Sequence, residues 1–436
     1  LWVLDHARRN VRQWMKPERR SPQALFAGPN SLKVTYQPKG VVGIVAPWNM
    51  PLYLSIGPLV TALAAGNKAM IKLPEDTPRA NAVIKQLLSE SFPEDEVAVF
   101  GEELLDPSEF TALPFDHMIF TGSPRVGRIV MADAAKNLVP VTLELGGKSP
   151  AIVAPDYDVD DAALRITHGK AAMSGQICVA PDYALVPEAK VPQFVAQVQA
   201  SFQRFFPDGT EGREEYCSLI NDRHTDRIRA MLEDARVKGG TVTPCAPWES
   251  GNRVPLHIVT GVTPDMQVAR EEVFGPILPV VSYQNFDEAV AFVADQPSPL
   301  ALYLFDEKRA SIERVMRETV SGGVSINETL LHIACESLPF GGVGAKLLRD
   351  GIGLDRGQLF GLHAVHDGFD LGAGLFGRLA AHLRHLGHQH RLRGVVVVER
   401  ALEGVVHVLR GVAVEVVRHD HDTELLAGLD ARVEVE

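Results

Sequence analysis

A chain of 436 residues exceeds what one hydrophobic core usually fills, so two or more packed domains are expected, and a hydrophobic content of 46% is ample for burying them. Its formal net charge of -12 argues against nucleic acid as the main partner, because a phosphate backbone demands a basic surface. The four cysteines, Cys178, Cys217, Cys245 and Cys335, show neither metal-ligand spacing nor a disulfide framework, which predicts a reducing cytoplasm and no metal.

The sequence opens with Leu1 rather than Met, so residues are expected to precede it, and no signal peptide is visible. Residues 1–20 carry six Lys or Arg, read as the solvated face of a helix in preference to a membrane or nucleic-acid patch. The segment 41–66 has no charged residue and is long enough to suggest a membrane span. Pro47, Asn49, Pro51, Gly57 and Pro58 inside it fit a buried strand, a turn and a helix better, so no membrane partner is expected. Strand-like VVGIVAP, KAMIKL, EVAVF and HMIFTG then alternate with helical stretches such as PRANAVIKQLLSESF, which predicts a parallel sheet covered by helices. A second α/β run follows Gly146: strand AIVAP, a helix over 160–175, strand YALVP, a helix over 191–206, and strands near HIVTGV and ILPVVSY. The boundary near 144–148 falls where small-molecule sites commonly form, between two domains.

Three residues carry the chemistry. Cys178 in SGQICVAPDY is a candidate nucleophile, Glu144 in VTLELGGKSP a candidate base, and Asn49 in APWNMP an amide donor for an oxygen that turns negative as a carbonyl carbon becomes tetrahedral. That combination points to acyl-enzyme chemistry on an aldehyde. Burial in an apolar strand would raise the Glu144 pKa toward a range useful to a base. Met50 and Tyr53 either line the aldehyde entrance or pack in the core. Cys217, Cys245 and Cys335 are read as packing residues. No GxGxxG fingerprint is present in the usual place. Gly122 and Ser123, with Gly127 five residues after Gly122, instead follow the strand HMIFT and open a helix, where backbone N–H groups can meet a pyrophosphate.

PWNMP, FTGSPRVG, LELGGKSP, GQICVAPDY and EEVFGP occur in the order of the NAD(P)-dependent aldehyde dehydrogenases, which the chain resembles from about residue 1 to about residue 345. PWNMPLYLSIGP and CVAPDYALVP are most similar to the coniferyl aldehyde dehydrogenase branch, near the class 3 enzymes. The resemblance implies a Rossmann-like dinucleotide-binding domain over 1–145 and an α/β catalytic domain over 146–345. It implies a Cys178 thiohemiacetal, then a thioester hydrolysed by water that Glu144 activates, with aromatic or medium-chain aldehydes as substrates. For the cofactor it points to Gly122, Ser123 and Gly127 at the dinucleotide, Lys72 and Glu75 at the adenosine ribose, and Glu272 and Phe274 at the nicotinamide end. A carboxylate at Glu75 favours NAD, with NADP possible, although Leu73 stands where the family more often has Pro. A homodimer is also implied, at odds with the sequence beyond residue 345.

From 347 to 436 there is no Pro, Ser, Asn, Lys, Cys, Met, Trp or Tyr, while nine of the 15 His lie there. Natural domains use Pro, Ser and Asn in turns. The family continues PFGGVGA into a Ser-Gly, Gly-Arg and His-Gly run, whereas this chain continues as KLLRDGIGLDRGQLFG. We read 346–436 as an aberrant tail, a possible frame-shift product, against the alternative of a genuine extension. It is expected to form no packed part of the catalytic domain. The competing function class is a catalytically silent or misfolded product of a truncated, frame-shifted gene of this family. A reductive acyl-phosphate enzyme is a weaker rival, because Glu144 would have little to do there.

Overall fold

The structure, a computed structural model, describes residues 2–20, 31–104, 106–335, 338, 340–342 and 347–348. Helix α1 (Trp2–Trp14) buries Leu4 and Ala7 and leaves Arg8 and Arg9 exposed, as a one-sided apolar stripe requires. Strands β1 (Glu18–Arg20) and β2 (Leu32–Val34) pair as an antiparallel ribbon. The charge-free segment then divides into β3 (Val41–Val45) and α2 (Pro51–Ala64). Next come β4 (Lys68–Lys72), α3 (Pro78–Ser91), β5 (Val97–Phe100), α4 (Pro107–Thr111), β6 (His117–Gly122), α5 (Pro124–Ala135) and β7 (Val141–Leu145). Helices α2 to α5 all begin on a proline, whose fixed φ suits the first turn and whose missing N–H is not needed there.

The second run holds β8 (Ser149–Val153), α6 (Val159–Ala171), β9 (Pro181–Pro187), α7 (Val191–Phe205), α8 (Asp222–Val237), β10 (Thr241–Pro244) and β11 (His257–Thr260). It continues with α9 (Gln267–Arg270), β12 (Ile277–Tyr283), α10 (Phe286–Asp295), β13 (Ala301–Phe305), α11 (Arg309–Glu318) and β14 (Gly323–Ile326). A last strand, β15, is only Leu347–Leu348.

Two sheets organise these elements. One has the order β15-β7-β6-β3-β4-β5, the other β10-β11-β12-β9-β8-β13-β14, and every pairing is parallel except β15 with β7 and β10 with β11. Helices cover both faces, so central strands are mainly apolar: Ile44, Ile71 and Met118 are fully buried in the first sheet, and Ala151, Ala184 and Leu304 in the second. Burying each large aliphatic side chain is worth about 1.5–3 kcal/mol. The fold is α/β, with a Rossmann-like parallel sheet and a mixed sheet. In the first sheet the chain runs outward through β3, β4 and β5, then returns to place β6 on the other side of β3. The switch point lies between β3 and β6, beyond whose carboxyl ends ligands bind in such sheets.

One expectation changes. The helix over 160–175 ends as an α-helix at Ala171 and closes in a 3₁₀ turn, Ala172–Gly175, where Met173, Ser174 and Gly175 take φ of 50°, 53° and 71°. At Gly175 a side chain is excluded, because a Cβ there would stand 2.4 Å from the Gly275 carbonyl oxygen. Leu347 and Leu348 pair antiparallel with Glu144 and Leu143 on the β7 edge of the first sheet. Positions from 349 onward lie outside the described residues. Among the described residues no helix is long and apolar enough to cross a membrane, and no three His, Cys, Asp or Glu side chains could jointly hold a metal ion.

Candidate active site

Beyond the carboxyl ends of β3, β6 and β7 lies a cavity of about 1650 Å³ whose wall includes Asn49, Gly122, Ser123, Glu144, Cys178, Glu272 and Phe274. Strand β3 leads through Pro47 and Trp48 to Asn49, whose Nδ2 donates to the Gln176 carbonyl at 2.9 Å. Glu144 lies one residue from the end of β7, opposite Thr121 of β6, and is half-buried. Cys178 comes from the other sheet, in the turn between the 3₁₀ segment and β9. Glu144 and Cys178 thus reach one cavity wall from different sheets.

Part of the Cys178 surface faces the cavity, yet protein surrounds its sulfur. Burial first, then the Glu272 and Glu144 carboxylates, push its thiol up to about 12, while the backbone N–H groups of Cys178 and Val179 act in the opposite sense. Glu272 is packed over Gly146, where a Cβ would lie 2.1 Å from its Oε2. The glycine pair after β7 thus makes room for a carboxylate from another element. Phe274, held at φ 42°, sets its ring edge-on to Trp48 at 5.4 Å, and Trp48 in turn meets His224 at 4.8 Å. Sequence reasoning missed Trp48, His224 and Arg227, which also line the cavity. Only the proximity of Trp48 to Asn49 hinted at any of them.

The residues fit a dinucleotide. At the end of β6, Gly122 turns into Ser123, which caps α5 by accepting the Val126 N–H at 3.3 Å, so the positive end of a three-turn helix opens on the cavity. Gly127 does not line the cavity. It sits inside α5, where a Cβ would come within 2.9 Å of Leu145 Cδ2, so it lets the helix close on the sheet. Lys72 ends β4 and Glu75 follows in the loop after it, both outside the described cavity wall. Lys72 is buried and donates to the Leu73 carbonyl at 2.7 Å and to Glu75 Oε1 at 2.5 Å, while Glu75 remains exposed. Asn81 fixes this loop by donating to the Pro74 carbonyl at 2.8 Å.

Tyr53 lines the cavity and is half exposed, whereas Met50 packs against the core of the second sheet. Of the remaining cysteines, Cys245 is buried as expected of a packing residue, but Cys217 and Cys335 are exposed. Both occur in irregular segments, where hydrophobic periodicity gives no guide to burial.

A Rossmann-like sheet with a capped helix at its switch point, opening on a cavity that also holds a thiol and carboxylates, defines a dinucleotide-linked enzyme class. The model of the aldehyde dehydrogenase family matches residues 4–353, and the chain belongs to that family. The match runs somewhat past residue 345, where the resemblance was expected to stop. The chain is 50% identical over 341 residues to a probable coniferyl aldehyde dehydrogenase of Pseudomonas aeruginosa, covering 78% of this chain and 71% of that one. It is 42% identical over 347 residues to a coniferyl aldehyde dehydrogenase of a Pseudomonas sp., with the same coverages. Among solved structures, the substrate-bound state of Staphylococcus aureus AldH superposes with a TM-score of 0.76 at 34% identity, covering 88% of this chain and 85% of that one. The protein is an NAD(P)-dependent oxidoreductase acting on small-molecule aldehydes.

Proposed function

We propose that this enzyme oxidises an aromatic, coniferyl-like aldehyde to its carboxylic acid, with NAD preferred, through a thioester on Cys178. The observation that carries the reading is the convergence of Cys178, Asn49, Glu144 and Glu272 on one cavity from two different sheets. Residues 1–145 serve as the dinucleotide domain and 146–345 as the catalytic domain. Gly122 and Ser123 hold the pyrophosphate, Lys72 and Glu75 the adenosine ribose, and Glu272 and Phe274 the nicotinamide end, with Gly127 supporting the helix beneath.

With its thiol pushed up to about 12, Cys178 rests protonated, so attack on the aldehyde requires the proton to pass to a carboxylate facing the sulfur. As the S–C bond forms, the carbonyl π electrons move to oxygen. Asn49 Nδ2 and the Cys178 backbone N–H then hold that oxyanion, Asn49 exchanging its Gln176 partner for it. NAD(P), when held by Gly122, Ser123, Glu272 and Phe274, would supply the two-electron acceptor needed for oxidation to the thioester level. Glu144 removes a proton from water, the resulting hydroxide adds to the thioester carbon, and the Cys178 sulfur leaves and is reprotonated. The balance is aldehyde, water and NAD(P)⁺ giving carboxylic acid, NAD(P)H and a proton.

The relatives' names and the aromatic wall formed by Trp48, Tyr53, Phe292 and Phe340 support a planar aromatic substrate. The test compares kcat/KM for coniferyl aldehyde and hexanal, with Cys178→Ala as control. At least a tenfold preference for the aromatic aldehyde is expected, with turnover lost and NADH binding kept in the variant. Equal use of hexanal would overturn the substrate reading, and turnover retained by Cys178→Ala would overturn the nucleophile.

A further inference from the structure

The stretch from α9 through the irregular segment that carries Glu272 and Phe274 is gripped along its backbone by three charged side chains, from the loop before β8, from β9 and from α8. Lys148, after the Gly146-Gly147 pair, donates to the Val268 carbonyl at 2.9 Å and the Glu271 carbonyl at 3.0 Å. Its ammonium also pairs with Asp182 Oδ2, and Asp182, almost wholly buried in β9, accepts the Val273 N–H on its other oxygen at 2.9 Å. Arg227 of α8 closes the grip, donating to the Glu272 carbonyl at 3.3 Å and to the Val273 carbonyl. Four carbonyls and one N–H of 268–273 are thereby fixed. A Cβ on Gly275, the residue after Phe274, would come within 2.4 Å of Ile228 Cδ1 on α8, so the far end of the segment is wedged as well.

Three charged groups at one irregular loop are costly to bury unless their geometry is used. We infer that Lys148, Asp182 and Arg227 form a positioning clamp that sets where the Glu272 carboxylate and the Phe274 ring stand, and so governs dinucleotide affinity without touching the aldehyde. None of the three is assigned to the reacting atoms. They act through a backbone whose displacement would move both side chains together, including Phe274 at its left-handed φ. The inference rests on the assignment of Glu272 and Phe274 to the nicotinamide end.

The experiment measures NADH binding by fluorescence titration, together with KM for the aldehyde, in Asp182→Asn and Arg227→Lys. Asp182→Asn keeps the shape and an acceptor for the Val273 N–H but loses the charge that holds Lys148. Arg227→Lys keeps the charge but loses the fork that spans two carbonyls. Both should raise the NADH dissociation constant at least tenfold while KM for the aldehyde stays within threefold. An NADH constant within twofold of the parent in either soluble variant would overturn the clamp, and so would an aldehyde KM rising in parallel, the mark of general disruption. Should Asp182→Asn fail to fold, Arg227→Lys alone decides. If the parent enzyme bound no NADH, the cofactor assignment would fail first, so the two failures are distinguishable.

Discussion

The Cys178 thiol offers a quantitative test. A pKa of about 12, raised by burial and then by Glu272 and Glu144, leaves about one thiol in 10⁴ ionised at pH 8, against about a quarter for an ordinary thiol of pKa about 8.5. A more basic thiolate is also more nucleophilic, with a Brønsted slope of about 0.4–0.5, which recovers roughly 25- to 55-fold for a pKa about 3.5 higher. Attack on an aromatic disulfide reagent at pH 8 should therefore run on the order of ten- to a few hundredfold slower than for a free cysteine. The assay uses a Cys217→Ser, Cys245→Ser, Cys335→Ser background so that one thiol reacts. Because the neutral thiol persists below its pKa and thiolate grows as pH rises, the rate should climb about tenfold per pH unit from pH 7 to 10 without levelling. Glu272→Gln, which removes the larger of the two charge contributions, should speed the reaction at pH 8. A plateau below pH 9 in the parent, or an unchanged rate in Glu272→Gln, would be incompatible with a thiol held protonated by burial and flanking carboxylates.

Two other variants probe the same geometry. Asn49→Ala removes a donor that stands 2.9 Å from its resting partner, and should raise the barrier by about 3–4 kcal/mol, roughly 10²–10³ in kcat, with NADH affinity unchanged. Steady-state turnover within tenfold of the parent would dismiss its oxyanion role. Glu75→Gln releases the Lys72 ammonium from a carboxylate 2.5 Å away and should favour NADP over NAD by about fivefold in relative kcat/KM, on the order of 1 kcal/mol for a pair whose carboxylate is exposed. An unchanged ratio would move the discriminator elsewhere.

Much of this arrangement was legible in the sequence because apolar runs and turn residues fix local structure. VVGIVAP and HMIFTG read as strands, so Gly122, the last residue of HMIFTG, and Asn49, two residues past VVGIVAP, fell at strand ends, where side chains and backbone open toward a ligand. What escaped notice depends on contacts between distant segments. Gly146 carries no local sign that Glu272, 126 positions later, will pack on it. Lys148, Asp182 and Arg227 look like surface charges until three elements meet around one loop. Gly127 was grouped with Gly122 by spacing and by the resemblance, neither of which separates a glycine facing a ligand from one needed for helix-to-strand packing. The break at Met173 and Ser174 was hidden because an apolar run continues across it.

In the proposed chemistry, oxidation passes through a Cys178 thioester which Glu144 helps to hydrolyse. Glu144→Gln, mixed rapidly with coniferyl aldehyde and NAD and followed by NADH fluorescence and by mass analysis of the Cys178 peptide, separates the two half-reactions. A burst of about one NADH per active site is expected, then turnover slowed at least a hundredfold, within the range for a lost general base, with the Cys178 peptide heavier by the acyl group. Turnover within tenfold of the parent and no acyl adduct on Cys178 would rule out both the thioester and the base.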